Sequence, residues 1–252
     1  MSLEKIILPE KEIIVVTFDL EGTTVNLANV HHKVHELSAK AFGINLTVEQ
    51  FLKNLDEFPH FIGGPDEEIA KEIAKYGLKH FGIYVDPKEI HYAKKFYYNN
   101  LLPEFEIRPR EGFLEFFFFI KSLGFKYAIG SLTSTGQAMH ILDQAELLEL
   151  FGLEKIILKE DVRNLKPHPE VYIKTAELHG VSPSKQIVFE DSPNGVRAAK
   201  SAGSMAYGMP VYYDNPKVIQ QLKDAGVDGI FNGWCDPKLY DMIKLIYERS
   251  NL

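Results

Sequence analysis

Apolar positions follow two alternating patterns. Short continuous apolar runs bounded by polar or glycine residues occur at Glu12 to Phe18, Phe125 to Gly130, Lys155 to Leu158, Gln186 to Phe189, Met205 to Gly208 and Gly229 to Phe231. Runs of this length without in/out alternation are those of strands buried on both faces of a parallel sheet. Between them the spacing changes to the helical one. It predicts helices over Gly112 to Leu123, Thr135 to Leu147, Pro169 to His179, Pro193 to Ala202, Pro216 to Ala225 and Pro237 to Glu248, with Gly180, Gly203 and Gly226 where carboxyl caps belong. Strand–helix alternation implies an α/β fold built on a doubly wound parallel sheet.

From Thr24 to Arg108 the strand pattern disappears and only helical spacing remains. Asn29 to Phe42 is amphipathic. Thr47 with Gln50 reads as a capping box for a short helix ending near Phe58; Pro65 with Asp66, Glu67 and Glu68 opens another; Asp86-Pro87 with Glu89 opens the last, ending near Leu102. The expected organisation is a core of residues 1–26 and 108–252, interrupted by a small all-helical domain over residues 27–107.

The chemistry-bearing residues gather at predicted strand ends, where open α/β sheets place ligands. The first strand ends in Asp19-Leu20-Glu21-Gly22-Thr23-Thr24, two acids two residues apart followed by a glycine turn. Taken alone, such a segment reads as an acidic strand cap. Three more segments recur in order: Ser131 after the second strand, with Thr133, Ser134 and Thr135 beyond it; Lys166 before Pro167-His168-Pro169-Glu170; and Glu190-Asp191-Ser192-Pro193-Asn194-Gly195 before a helix. Carboxylates suit a hard divalent cation, and Lys166 with Ser131 suits a phosphate held opposite it.

These four segments together resemble the four motifs of the haloacid dehalogenase superfamily, and the Glu-Asp-Ser-Pro-Asn-Gly form resembles its β-phosphoglucomutase-like and sugar-phosphate phosphatase subgroup. The resemblance spans nearly the whole chain. It implies a Rossmann-like core with the inserted helices as a C1-type cap, and a Mg2+-dependent phosphatase acting on a small phosphomonoester through an aspartyl phosphate. By position it implies Asp19 as nucleophile and Glu21 as general acid/base, and Ser131, Leu132 and Lys166 as phosphoryl ligands. Metal ligation falls to Asp19, the Glu21 carbonyl and Asp191, with Glu190 a direct or water-mediated partner. His31 matches a cap histidine of the mutase-like relatives and is a candidate leaving-group contact; the alternative is a solvated helix histidine.

Glu21 departs from the pattern, since most phosphatases of this group have Asp there. The extra methylene moves the carboxyl by about 1.5 Å, and a misplacement of about 1 Å can cost on the order of a hundredfold in rate. The enolase-phosphatase branch also resembles this chain in having Asp-x-Glu-Gly-Thr-Thr as first motif, so Glu is compatible with the chemistry. Two alternatives stand beside hydrolysis: a phosphomutase of the β-phosphoglucomutase type, or an impaired homologue that only binds. The loop Phe58 to Gly64 is followed by Pro65, Asp66, Glu67 and Glu68, where a mutase needs a cation, and acid there repels a bisphosphate. Ser134 and Thr135 stand where those mutases have a lysine and an asparagine. Both features favour hydrolysis.

Composition changes this picture little. The 252 residues, 45% hydrophobic and 25% charged, suffice for one large core and an accessory domain. The single Cys235 excludes an internal disulfide and points to a reducing compartment. The charged segment Met1 to Lys11 lacks a leader-like apolar stretch, and no apolar run approaches the roughly 20 residues of a membrane span. A net charge of -7 without a basic stripe argues against nucleic acid. The expectation is a cytoplasmic enzyme with no nucleic-acid or membrane partner, a monomer or weak homodimer. In Phe116 to Phe119 the spacing aims Phe113, Phe117 and Ile120 at the sheet and the other rings elsewhere, for helix-neighbour packing in preference to an oligomer contact. Trp234, late in the chain, is expected to be structural and away from the four motifs.

Overall fold

The computed structural model describes residues 6–10, 12–62 and 64–250. Most of the amino-terminal segment Met1 to Lys11, and Gly63 of the loop before Pro65, lie outside the described residues. The chain divides into two compact units, one of Met1–Asn26 with Ile107–Leu252 and one of Leu27–Glu106.

The larger unit contributes β1 (Val15–Phe18) before the chain enters the helical unit, which holds α1 (Ala28–Lys40), α2 (Val48–Lys53), α3 (Asp66–Phe81) and α4 (Pro87–Leu101). The chain then returns through α5 (Phe113–Ser122), β2 (Lys126–Gly130), α6 (Thr135–Gln144), α7 (Leu148–Phe151), β3 (Ile156–Ile157), α8 (Glu170–Glu177), β4 (Gln186–Glu190), α9 (Pro193–Ala202), β5 (Met205–Gly208), α10 (Pro216–Asp224), β6 (Gly229–Ile230) and α11 (Pro237–Ser250). The six strands are all parallel, in the order β3-β2-β1-β4-β5-β6. The strand order reverses beside β1, between β1 and β4, which is the switch point where a crevice opens at the carboxyl edge. Register carries the site: Phe18 pairs with Ile129 on one side and Phe189 on the other, so the residues that follow emerge at one level. Among the described residues no helix is long and apolar enough to cross a membrane.

Beneath that edge the core is aromatic. Phe18 packs edge-on against Phe113 at 5.3 Å and Trp234 at 5.6 Å, and stacks on Phe189 at 5.9 Å. Such pairs add about 0.5–1.5 kcal/mol each beyond the burial itself. The expectation for the phenylalanine run needs one correction. Phe113, Phe117 and Ile120 are fully buried, but so is Phe116, which lies 5.0 Å from Trp234 and 5.5 Å from Phe189. Positions 113, 116, 117 and 120 form one helical stripe, and a stripe against a twisted sheet is wide enough to take all four. Phe118 is the ring left half exposed, at 50%.

The helical unit has its own core, in which Phe51 stacks on Phe61 at 4.6 Å among Ile44, Phe58, Ile69 and Ile73. The capping box of Thr47 and Gln50 is present at the start of α2. The acids after Pro65 are not bare: Lys94, itself buried, donates to Asp66 at 2.6 Å, Lys71 donates to Glu68 at 2.7 Å, and His91 lies 3.7 Å from Glu67. Asp66 and Glu68 therefore each have a cationic partner within the unit, whereas burial disfavours the charged form of His91 beside Glu67. His31 is half-buried on α1, its ring stacked on Tyr98 at 4.8 Å, while burial holds His35 down to about 3.

Candidate active site

Four separate segments meet at the carboxyl edge of β1 and β4. Asp19 continues the ladder one residue past β1, its N–H donating to the Phe189 carbonyl at 3.0 Å. The chain then turns. Thr24 donates its hydroxyl to the Asp19 carbonyl at 2.6 Å and its N–H to Leu20 at 3.0 Å, closing a loop around Gly22 at φ 87°. Glycine is required there twice over, since a Cβ would also fall 2.0 Å from an Asp191 carboxylate oxygen.

Lys166 ties the segments together. Its ammonium donates to Asp19 Oδ1 at 2.6 Å, to Glu190 Oε1 at 2.7 Å and to the Gly130 carbonyl at 3.1 Å, and lies 4.9 Å above the Tyr172 ring. Glu190 is fully buried and anchored from both sides. Its Oε1 accepts from Lys166 and from the Tyr172 hydroxyl, and its Oε2 accepts from the Ser192 hydroxyl at 3.1 Å and the Ser192 N–H at 3.3 Å. A carboxylate offers about four acceptor positions, and protein donors reach all of them. Gly195 opens the space for it, because a Cβ there would sit 1.7 Å from Glu190 Oε1.

The charges do not balance. Ligand oxygens of Asp19, Glu190 and Asp191 lie within 4.8 Å of one another. Burial drives the Asp19 carboxyl well above the ordinary carboxylate range, against Lys166 and with Glu190 and Asp191 adding to the push. Burial, then Glu190, push Asp191 up to about 7, with Arg110 and Lys166 pulling the other way. Burial disfavours the Lys166 ammonium too, but Asp19 and Glu190 outweigh it and hold its pKa above the usual value. Two buried acids, Asp19 and Glu190, and the half-buried Asp191 face one lysine, an oxygen-only set with surplus negative charge that a hard divalent cation would relieve.

On the β2 side, Ser131 and Thr133 are buried and their hydroxyls lie 2.9 Å apart, while Thr133 donates to Glu21 Oε1 at 2.5 Å. Leu132, between them, is half-buried. Ser134 and Thr135 turn to other partners, Ser134 to Gln137 at 2.9 Å and Thr135 to Glu160 at 2.8 Å. Asp19, Glu21, Ser131, Lys166, Glu190 and Asp191 thus share one edge of the larger unit, whereas His31 belongs to the helical unit.

Several residues that the sequence did not place at the site support it. Trp234, set there away from the four motifs, donates its indole N–H to the Thr23 carbonyl at 3.0 Å and so braces the first loop from below. Sequence distance hid this, because 211 residues separate the pair. Arg110 fastens the same loop, donating to the Gly22 and Met209 carbonyls, each at 2.6 Å, and its N–H donates to Thr24 at 2.8 Å. The signal for Arg110 was its place where the chain returns from the helical insertion; for Tyr172, it was its place one helical turn after the lysine loop.

The chain matches the haloacid dehalogenase-like hydrolase family over residues 16–208. It is 32% identical over 188 residues to a phosphorylated carbohydrates phosphatase of Thermotoga maritima, covering 75% of this chain and 81% of that protein. Among solved structures it is similar to a hydrolase of the family from Deinococcus radiodurans with bound phosphate and sodium, with a TM-score of 0.72 at 22% identity over 93% of this chain and 96% of that one. A family hydrolase from Entamoeba histolytica superposes with a TM-score of 0.71 at 24% identity, over 94% and 99% respectively. The parallel sheet, the inserted helices and the residues gathered at the switch point all fit this match, and the chain belongs to the haloacid dehalogenase-like hydrolases.

Proposed function

We propose that this hydrolase is a Mg2+-dependent phosphatase that cleaves a small phosphomonoester in two steps through a phosphorylated Asp19. The observation that carries the reading is the position of the Lys166 ammonium, 2.6 Å from Asp19 Oδ1 and beside the Ser131 hydroxyl's strand end, a cationic seat for a phosphoryl group in front of a carboxylate nucleophile.

In the first step an Asp19 oxygen attacks phosphorus, the bond from phosphorus to the leaving oxygen breaks, and Glu21 protonates that oxygen. In the second, Glu21 takes a proton from water, the water oxygen attacks phosphorus, and the bond to Asp19 breaks with release of phosphate. Lys166, the Ser131 hydroxyl and the backbone N–H of Leu132 hold the transferring oxygens. Asp19, Asp191 and the Glu21 carbonyl would hold Mg2+, which would add to the neutralisation of phosphoryl charge. Glu190, engaged by Lys166, Tyr172 and Ser192, keeps the lysine in place. The Thermotoga relative's carbohydrate phosphates support a small phosphorylated metabolite as substrate.

A panel of sugar, polyol and nucleoside phosphates tests this by phosphate release with and without Mg2+. Wild type should release phosphate from at least one, and Asp19→Asn should lose several powers of ten with its fold intact. An isomerised sugar phosphate in place of free phosphate would point to a mutase. More than about a tenth of activity left in Asp19→Asn contradicts the covalent route.

A further inference from the structure

Glu21 carries one more methylene than an aspartate, and with it one more rotatable bond between backbone and carboxyl. A proton carrier of that reach acts well only when its carboxyl is held, because a displacement of about 1 Å costs on the order of a hundredfold. The hold comes from β2's far end. Thr133 is 7% exposed, and its hydroxyl donates to Glu21 Oε1 at 2.5 Å. That hydroxyl has a single proton, so the 2.9 Å contact with Ser131 must run the other way, Ser131 donating to Thr133. Ser131 Oγ in turn accepts the Thr133 N–H at 3.2 Å. The result is a directed relay, Ser131 to Thr133 to Glu21, on a β-branched side chain whose first torsion is stiff.

We infer that Thr133 is a positioning residue that holds the Glu21 carboxyl through Oε1 while Glu21 delivers and collects its proton. The inference rests on the acid/base reading of Glu21. It also sets how the site behaves when phosphate arrives. Ser131 can turn its proton to a phosphoryl oxygen without releasing Glu21, because the hydrogen bond to Glu21 Oε1 is donated by the Thr133 hydroxyl's own proton. The hold therefore lasts through both half-reactions.

Comparison of Thr133→Val, Thr133→Ser and Glu21→Gln, singly and with Thr133→Val in the Glu21→Gln background, tests the assignment. Steady-state rates with p-nitrophenyl phosphate, inhibition by orthophosphate and intact mass after acid quench are the readouts. Thr133→Val should lower kcat by roughly 10- to 100-fold while KM and orthophosphate inhibition move less than about threefold, and the phosphorylated fraction of Asp19 should rise. Thr133→Ser, which keeps the donor, should stay within about threefold of wild type. In the Glu21→Gln background Thr133→Val should add less than about twofold. Should Thr133→Val not fold, Thr133→Ala makes the same comparison. Equal losses in both backgrounds, or weakened orthophosphate binding with no rise in phosphoenzyme, overturn the inference and leave the acid/base reading standing. Wild-type turnover by Glu21→Gln alone removes that reading and the inference together.

Discussion

Asp191 is the residue at which burial, charge and the proposed metal site meet. Its carboxyl is pushed up to about 7, so between the ordinary carboxylate range and neutrality the folded chain holds a proton that the unfolded chain has given up. The metal-free protein should accordingly lose stability as pH rises from about 4 towards about 7, and then level off. Mg2+ requires the ionised carboxylate, so its binding should tighten over the same interval. Thermal unfolding with and without Mg2+ checks both signs: a larger Mg2+-dependent rise in Tm near pH 8 than near pH 6 is expected, on the order of tenfold in affinity per pH unit below the titration. A Mg2+ effect that is the same at both pH values, or larger at the lower one, contradicts the placement of the metal at Asp191. The sequence made the acids themselves legible, because each stands at the end of an apolar run. Their burial and the crowding that shifts them were not, since these depend on the fold bringing Asp19, Glu190 and Asp191 together from distant parts of the chain, with Lys166 and Arg110 opposing the shift.

At the scale of elements, the strands were readable because each is short, apolar and buried on both faces, and β5 and α9 have the bounds their residues imply. Ends were less so. The strand expected over Lys155 to Leu158 is only Ile156–Ile157, and the helix expected from Thr135 to Leu147 stops at Gln144 before a separate turn, Leu148–Phe151. Ladder edges and helix ends are decided by tertiary packing that periodicity does not record. The stripe on α5 makes the same point with a measurable consequence. Phe116→Ala removes a ring wedged between Trp234, Phe189 and Tyr240 and should cost about 3–5 kcal/mol. Phe118→Ala, two residues away on the exposed side, should stay within about 0.5 kcal/mol. Urea unfolding at constant m-value distinguishes the two; a large loss at Phe118 with a small one at Phe116 would mean that α5 is rotated from its described position.

On the scale of the whole molecule, one topological choice explains why distant residues share a site. Placing β1 between β2 and β4 brings the ends of three strands to one level, and Asp19, Ser131 and Glu190 emerge there although more than a hundred residues separate the first from the others. The loop that carries Glu21 is then braced by Arg110, where the chain returns from the helical insertion, and by Trp234 near the end of the chain. A motif reading picked out residues that the fold gathers at this edge, because the chemistry proposed for them constrains their types; it did not place the braces, which any donor of suitable reach could provide. The measurement that tests the central claim most directly is acid-quench intact mass and peptide mapping of wild type, Glu21→Gln and Asp19→Asn during turnover of an activated phosphomonoester with Mg2+. A phosphoryl group should accumulate on Asp19 in Glu21→Gln, be scarce in wild type and be absent from Asp19→Asn. A turning-over Glu21→Gln enzyme with no phosphorylated residue, or with the phosphoryl group on any residue other than Asp19, would contradict it.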